Sequence, residues 1–202
     1  MRIYPSLMVK NQKELNILFK KLDGVSKEFH IDIADGLFVP SKVFQFDFKL
    51  KSKYKYNVHL MIKNPKKWVQ KYGKRFNLIY VHAEVIDDSF AMWMKEQKKK
   101  VCIAVKPETK ISEINLKYVN HVLVLTVHPG FYGAKYLKAP LKKIAQIKQK
   151  NSKIKVLVDG GMNPSTIKDA KKAGADAVVS GSFISKSENP KKAIRELREG
   201  LK

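Results

Sequence analysis

Short apolar runs alternate with amphipathic, lysine-rich stretches along the whole chain, and this alternation restricts the possible folds more than any other feature. Eight runs rich in Val, Ile and Leu are predicted strands, at residues 3–9, 28–34, 56–61, 78–82, 101–105, 121–127, 155–159 and 177–180. They lack strict apolar–polar alternation, which is typical of strands buried on both faces. Helical stretches separate most of them, so the sequence predicts a (β/α)8 TIM barrel, an α/β fold. A doubly wound sheet is the alternative, but it leaves eight evenly spaced strands unexplained.

Several helix starts are marked by side chains that can cap the first free amides. The dipeptide Asn-Pro occurs three times, at residues 64–65, 163–164 and 189–190. Asn can accept hydrogen bonds from a helix start, and Pro fits the first helical position because it has no amide hydrogen to lose. Asn11 and Glu14 have the spacing of a capping box. No composition break or low-complexity linker interrupts the chain, so residues 1–202 are expected to form a single domain.

Cysteine content and hydropathy limit the cellular compartments in which the protein is expected. The single cysteine, Cys102, excludes an internal disulfide framework and is typical of a reducing compartment. No apolar run approaches the roughly 20 residues that a membrane-spanning helix needs. We therefore expect a cytoplasmic protein without a membrane partner.

The chain is strongly basic, with 41 Lys and Arg against 18 Asp and Glu and a formal net charge of +23. Such a charge attracts polyanions, so nucleic-acid binding is the first alternative to an enzyme. Only four of the basic residues are Arg, the side chain best suited to guanine edges and phosphates, and the lysines are spread along the chain. This distribution favours solvated helix faces over a specific nucleic-acid partner. A non-catalytic, polyanion-binding barrel stays open as an alternative.

Metal-capable side chains stand near the ends of three predicted strands, where TIM barrels carry their functional groups. In the second strand, His30, Asp32 and Ala34 share one face, because alternate side chains of a strand point the same way. His59 stands near the end of the third strand and Asp159 at the end of the seventh. Two imidazoles and two carboxylates suit a divalent transition metal. On spacing alone, hydrogen-bonded polar groups in the barrel core are the favoured explanation, and a metal site is the alternative.

Five motifs, in order along nearly the whole chain, resemble the ribulose-phosphate 3-epimerase family. They are YPSL at residues 4–7, HIDIADGLFVP at 30–40, VHLM at 58–61, VHPGFYG at 127–133 and VDGG at 158–161. The long string around Asp32 is highly specific, whereas the Asp-Gly-Gly motif alone would be weak evidence.

The resemblance implies a barrel enzyme, an isomerase, that interconverts D-ribulose 5-phosphate and D-xylulose 5-phosphate. By this likeness His30, Asp32, His59 and Asp159 would hold one divalent metal, with Zn²⁺ expected first and Fe²⁺, Co²⁺ or Mn²⁺ as alternatives. Asp32 and Asp159 would be the catalytic acid and base, one on each face of the sugar. Two opposed groups are needed, because inversion at C3 removes a proton on one face and returns one on the other. A metal on the substrate oxygens would stabilise the enediolate. Homo-oligomers are common in this family.

Two groups of residues are expected to bind a phosphorylated ketose. Ser6, His59 and Met61 would touch the sugar by resemblance. Glycines after the last three strands let backbone amides approach the phosphate closely, and a short helix starting near Ser182 would add its dipole. The expected phosphate-binding residues are Gly130, Phe131, Tyr132, Gly133, Gly160, Gly161, Gly181 and Ser182.

The chain departs from the family pattern near the expected metal. Methionines are usual at the positions of Ala34, Met61 and Leu125, and only Met61 remains. Ala34 is expected to open space for the sugar, and Tyr132 replaces a usual glycine. The strings PSLM at 5–8 and PET at 107–109 are similar to allulose-6-phosphate 3-epimerases, so a six-carbon ketose phosphate is the alternative substrate. His82, closing the fourth strand, either lines the pocket or is a hydrogen-bonded structural residue.

Overall fold

The computed structural model describes residues 1–130 and 133–201. Its strands are β1 (Arg2–Leu7), β2 (Glu28–Asp35), β3 (Lys42–Val43), β4 (Lys55–Met61), β5 (Leu78–His82), β6 (Val101–Val105), β7 (Val119–Leu125), β8 (Lys155–Asp159) and β9 (Ala177–Ser180). Its α-helices are α1 (Gln12–Lys21), α2 (Pro65–Tyr72), α3 (Asp88–Glu96), α4 (Lys142–Lys150), α5 (Thr166–Lys172), α6 (Ser182–Ser185) and α7 (Pro190–Glu199).

Eight of these strands form a closed parallel barrel. The hydrogen-bonded order is β1-β9-β8-β7-β6-β5-β4-β2, and a pairing between β1 and β2 closes the ring, with Ser6 opposite His30. The short strand β3 pairs antiparallel with β2 and stands outside this ring. The predicted (β/α)8 TIM barrel is therefore confirmed. Two connections, β2 to β4 and β6 to β7, contain no α-helix in the described part of the chain.

The predicted strand positions agree with the structure to within two residues at each end. The largest difference is in β7, predicted at 121–127 and observed at Val119–Leu125. The polar Asn120 obscures the early start, yet its side-chain oxygen accepts a hydrogen bond from the backbone amide of Val101 at 2.9 Å. A polar residue at that position thus ties β7 to β6 instead of ending the strand.

Helix capping follows the sequence at two of the four predicted starts, those at Asn11 and Asn189. Helix α2 begins at Pro65 as expected, but the side chain of Asn64 makes no capping hydrogen bond. Asn11 accepts a hydrogen bond from the Glu14 amide at 2.9 Å, and Asn189 caps α7 through the Lys192 amide. Asn163 accepts from the Thr166 amide within a turn, so α5 begins at Thr166, later than the Asn-Pro pair suggests. Among the described residues, no helix has the length and apolar character needed to cross a membrane.

Apolar side chains form one layer between the strands and the helices and a second, smaller cluster inside the barrel. The outer layer includes Phe19 of α1, whose ring lies 6.0–6.5 Å from the rings of Phe29, Tyr54 and Tyr56. The inner cluster contains Tyr4, Tyr80, Cys102, Ala104, Leu123, Leu125, Leu157, Ala177 and Val179. Because these side chains fill the barrel, polar groups at its C-terminal mouth stand on a packed floor.

Replacement of Phe19 by Ala should lower the free energy of unfolding by about 3–5 kcal/mol, because it leaves a cavity in the outer layer. Ile17 lies on the same helix and is 57% exposed, so Ile17→Ala should change it by less than about 0.5 kcal/mol. Urea unfolding followed by circular dichroism measures both variants. Equal losses would contradict the assignment of the buried face of α1.

Candidate active site

Four polar side chains meet at the C-terminal mouth of the barrel because of strand periodicity and register. His30 and Asp32 alternate on β2, so both point into the barrel. The register of β2 with β4 pairs Asp32 with His59, which brings these two side chains next to each other. Asp159 is the last residue of β8, where the hydroxyl of Thr126 anchors the chain by donating to the carbonyl oxygens of Asp159 and Gly160.

The four side chains are close enough to share one ion. His59 Nδ1 lies 3.1 Å from Asp32 Oδ1 and 3.9 Å from Asp159 Oδ2, and His30 Nε2 lies 3.5 Å from Asp32 Oδ1. One ligand atom from each of the four residues lies within 4.8 Å of the other three. The sequence prediction brought together the same four residues.

The donor set fits a divalent transition metal. Imidazole nitrogens and carboxylate oxygens are the usual ligands of zinc and iron. His30 is completely buried, and neither of its ring nitrogens has a hydrogen-bond partner among the described residues. A buried imidazole without a hydrogen bond is costly, and a cation between these side chains would satisfy it.

The two carboxyl groups have opposite pKa shifts. Burial, followed by the charge of Asp32, raises the pKa of Asp159 to about 7. Burial also acts to raise the pKa of Asp32, but the adjacent imidazoles of His30 and His59 outweigh burial and lower it. Two carboxyl groups with separated pKa values are typical of a site in which one group is a base while the other is an acid.

A hydrogen-bonded chain runs outward from His59. Its Nε2 lies 2.9 Å from Nε2 of His82, and Nδ1 of His82 lies 3.0 Å from Oε2 of Glu84. Burial lowers the pKa of His82 to about 4, so its ring is neutral near pH 7. The hydrogen bonds of Glu84 with His82 and Thr109 overcome the effect of burial and lower its pKa to about 2. Of the two expectations for His82, a structural, hydrogen-bonded residue is the one that the structure favours.

A cavity of about 980 Å³ opens above the four side chains. Its lining contains every described residue of the expected substrate site: Ser6, His59, Met61, Gly130, Gly133, Gly160, Gly161, Gly181 and Ser182. Phe131 and Tyr132 lie outside the described residues. Ser6 donates a hydrogen bond to Asp32 Oδ2 at 2.5 Å, so its hydroxyl orients that carboxylate.

Three lysines in the cavity lining, Lys10, Lys42 and Lys186, were not singled out from the sequence. No sequence signal separates them from the many other lysines, because only the fold decides which face the mouth. Ala34 is fully buried against Val39 and Met61 and is absent from the cavity lining. The expectation that Ala34 widens the sugar site therefore has no support in this structure.

Fold and geometry together define a TIM-barrel protein with a buried pair of imidazoles and a pair of carboxyl groups at the C-terminal mouth. Residues 2–185 match the model of the ribulose-phosphate 3 epimerase family. The chain belongs to this family, whose relatives are named as epimerases, a class of isomerase. The resemblance stated from the motifs is thereby confirmed.

Named relatives agree with this assignment, and a solved structure shares the fold. A ribulose-phosphate 3-epimerase of Methanocaldococcus jannaschii is 34% identical over 183 residues, covering 85% of this chain and 78% of that protein. The enzyme of the same name from Bacillus subtilis is 30% identical over 212 residues, covering 98% of both chains. The structure of 3-hexulose-6-phosphate synthase from Salmonella typhimurium has a TM-score of 0.71 at 16% identity, covering 100% of this chain and 98% of that one, which shows the shared fold alone.

Gly160, next to Asp159, has a backbone that only glycine adopts readily. Its φ is +114°, and a Cβ there would lie 2.6 Å from Cγ2 of Val127. Gly174 has a φ of +88° but open space, with its nearest neighbour 4.0 Å away. We expect Gly174→Ala to cost about 1–2 kcal/mol of stability from backbone strain alone.

Gly160→Ala should cost about 1–3 kcal/mol more stability than Gly174→Ala, because backbone strain and overpacking against Val127 act together. The double variant Gly160→Ala, Val127→Ala should recover part of this loss. Chemical unfolding of the three variants measures these differences. Equal stability of Gly160→Ala and Gly174→Ala would show that the contact with Val127 is unimportant.

Proposed function

We propose that the chain is a metal-dependent ribulose-phosphate 3-epimerase that interconverts D-ribulose 5-phosphate and D-xylulose 5-phosphate. The observation that carries this proposal is the convergence of His30, Asp32, His59 and Asp159 within 4.8 Å at the mouth of a barrel of this family. The names of the relatives support the pentose phosphate as substrate.

His30, Asp32, His59 and Asp159 would hold one divalent metal, with Zn²⁺ as the first choice and Fe²⁺, Co²⁺ or Mn²⁺ as alternatives. When bound, such an ion would act as a Lewis acid that polarises the substrate ketone and stabilises the negative charge formed at its oxygen. The neutral imidazoles and ionised carboxylates required for this role match the donor types present in the cluster.

Asp32 and Asp159 would move the protons at C3. They stand on β2 and β8, which are separated by β9 and β1 in the barrel, so they approach the mouth from different sides. The separated pKa values of the two groups suit one base and one acid, whose roles exchange when the reaction runs backwards. Positioned acid and base groups of this kind typically contribute about 10²- to 10⁴-fold each.

The cavity can accommodate a phosphorylated ketose. Ser6 and Met61 line it next to Asp32, His59 and Asp159, and Gly160, Gly161 and Gly181 line it after β8 and β9. Glycines let backbone amides approach an anion closely. Lys10, Lys42 and Lys186 add positive charge to the lining, which favours a phosphate dianion. A volume of about 980 Å³ also admits a six-carbon allulose 6-phosphate, so the assay includes both sugars.

Metal removal is the first test of the proposed reaction. Purified protein should contain about one divalent ion per chain, because the described residues contain one cluster of four possible ligands. A chelator should abolish interconversion of the two pentose phosphates, and added Zn²⁺, Fe²⁺, Co²⁺ or Mn²⁺ should restore it. NMR of ribulose 5-phosphate and allulose 6-phosphate in parallel measures the turnover.

Retained turnover without metal would contradict metal dependence, and turnover of the six-carbon sugar alone would reassign the substrate. A folded, metal-loaded protein without turnover of either sugar, but with salt-dependent nucleic-acid binding, would support the polyanion-binding alternative instead.

The two-base assignment is tested with Asp159→Asn. Net inversion should fall by several decades, about 10²- to 10⁴-fold, because one of two positioned groups is lost. Exchange of the C3 proton with D2O should persist from one epimer, since Asp32 can still remove a proton from its own face. NMR measures exchange and inversion separately.

The matched control for this variant is Asp23→Asn, whose exposed carboxylate pairs with Lys53 and lies before β2, at the opposite end of the barrel. This control should retain full turnover. Normal inversion by Asp159→Asn would refute the role of Asp159.

The remaining expectations stay predictions. They are a single domain over residues 1–202, a cytoplasmic location, assembly into a homo-oligomer, and the lack of specific nucleic-acid or membrane partners. Gel filtration with light scattering measures the oligomer directly.

A further inference from the structure

We propose that His82 and Glu84 are positioning residues that fix the proton of His59 on Nε2 and thereby leave the lone pair of Nδ1 facing the metal cluster. This inference rests on the proposed function, because it concerns how the chain prepares one ligand of the proposed metal. According to this inference, His82 and Glu84, which lie outside the cluster of four ligands, increase the affinity for the metal.

The direction of the hydrogen bonds follows from Glu84. An ionised carboxylate can only accept hydrogen bonds. Oε1 of Glu84 accepts from the Lys106 amide at 3.2 Å and from the hydroxyl of Thr109, while Oε2 lies 3.0 Å from Nδ1 of His82. Nδ1 of His82 must therefore carry the ring proton.

A neutral imidazole has one protonated nitrogen and one acceptor nitrogen. With its proton on Nδ1, His82 presents the lone pair of Nε2 to Nε2 of His59, 2.9 Å away. A short contact between two nitrogens is a hydrogen bond only if one of them donates, so Nε2 of His59 carries a proton. Nδ1 of a neutral His59 then has a lone pair and no proton.

This proton placement changes the meaning of the contacts on the other side of His59. Nδ1 lies 3.1 Å from Asp32 Oδ1 and 3.9 Å from Asp159 Oδ2. If Nδ1 carried a proton, it would simply hydrogen-bond to Asp32 and compete with any ion. Without that proton, three electron-rich atoms face one another, and a cation is the natural partner for all of them.

The surroundings of His82 shield its hydrogen bond with His59 from solvent. The side chain of His82 is 0% exposed, and the ring of Phe38 lies 4.4 Å from its ring centroid. Nζ of Lys106 lies 4.2 Å from the centroid of the Phe38 ring. Because the side chain of His82 is inaccessible to solvent, its Nε2 is the acceptor that lies next to Nε2 of His59.

Two substitutions of His82 separate a proton-placing role from simple packing. In His82→Gln, the amide oxygen can reach the position of Nε2 and still accept from His59. In His82→Leu, the apolar contact with Phe38 is kept but the acceptor is lost. A packing role predicts that Leu is the better replacement, whereas the proposed role predicts that Gln is better.

The measurement is the zinc affinity of each protein, by competition with a chromophoric chelator. Loss of a hydrogen-bond partner behind a ligand typically weakens metal binding 10- to 100-fold, so His82→Leu should lose about that much and His82→Gln clearly less. His121→Leu, which replaces a half-buried histidine near the other end of the barrel, is the control and should bind zinc like the unmodified protein. Thermal unfolding of all variants verifies that they are folded.

NMR of ¹⁵N-labelled imidazoles in the zinc-loaded, unmodified protein gives a second readout. It should show a protonated Nε2 on His59 and a protonated Nδ1 on His82. A proton on Nδ1 of His59, or unchanged zinc affinity in His82→Leu, would overturn the inference.

Turnover of the same samples keeps the two proposals distinguishable. Zinc binding and imidazole protons as expected, but without epimerase turnover, would overturn the proposed function and support the inference. Full turnover together with unchanged zinc affinity in His82→Leu would support the proposed function and overturn the inference. A folded protein that takes up none of Zn²⁺, Fe²⁺, Co²⁺ and Mn²⁺ would overturn both.

Discussion

The pairing of β1 with β2 closes the parallel sheet, and the rest of the molecule depends on that closure. An open sheet would leave the backbone groups of two edge strands unpaired, whereas the ring satisfies them. Closure also creates an inside, so side chains from strands far apart in the sequence face a common axis. Ser6 on β1 can reach Asp32 on β2 only because these two strands are neighbours.

The interior has two regions with different chemistry. Apolar side chains, from Tyr4 to Val179, fill the middle of the barrel and form a floor. Above that floor, buried polar side chains face one another, and not all of them are hydrogen-bonded. His30, whose two ring nitrogens lack a hydrogen-bond partner among the described residues, is the clearest example. Such an arrangement costs folding free energy, which a bound cation would offset. The candidate functional site therefore lies where buried polar side chains replace the apolar packing of a stable core.

The net charge of +23 has a different origin from the site. Most lysines are on exposed helix faces and loops, while the cluster at the mouth contains two acidic groups and no lysine among its four members. A basic surface around a small acidic centre is compatible with the proposed function, in which the substrate carries a phosphate and the acidic centre binds a metal ion. The net charge of the protein therefore indicates the sign of the charge on its binding partner, whereas the properties of the site depend on short distances between individual side chains.

Local patterns along the chain were sufficient for the strands, for the cap of α1 at Asn11 and for the four members of the polar cluster, because strand periodicity and the TIM-barrel rule place those side chains at one mouth. The linear order could not show that His82 supports His59, that Thr126 anchors the end of β8, or which lysines face the cavity. These contacts join residues 23 to 34 positions apart, or depend on which side of a loop faces inward. They exist only after the sheet has closed, since distance and direction between separate strands are properties of the folded chain.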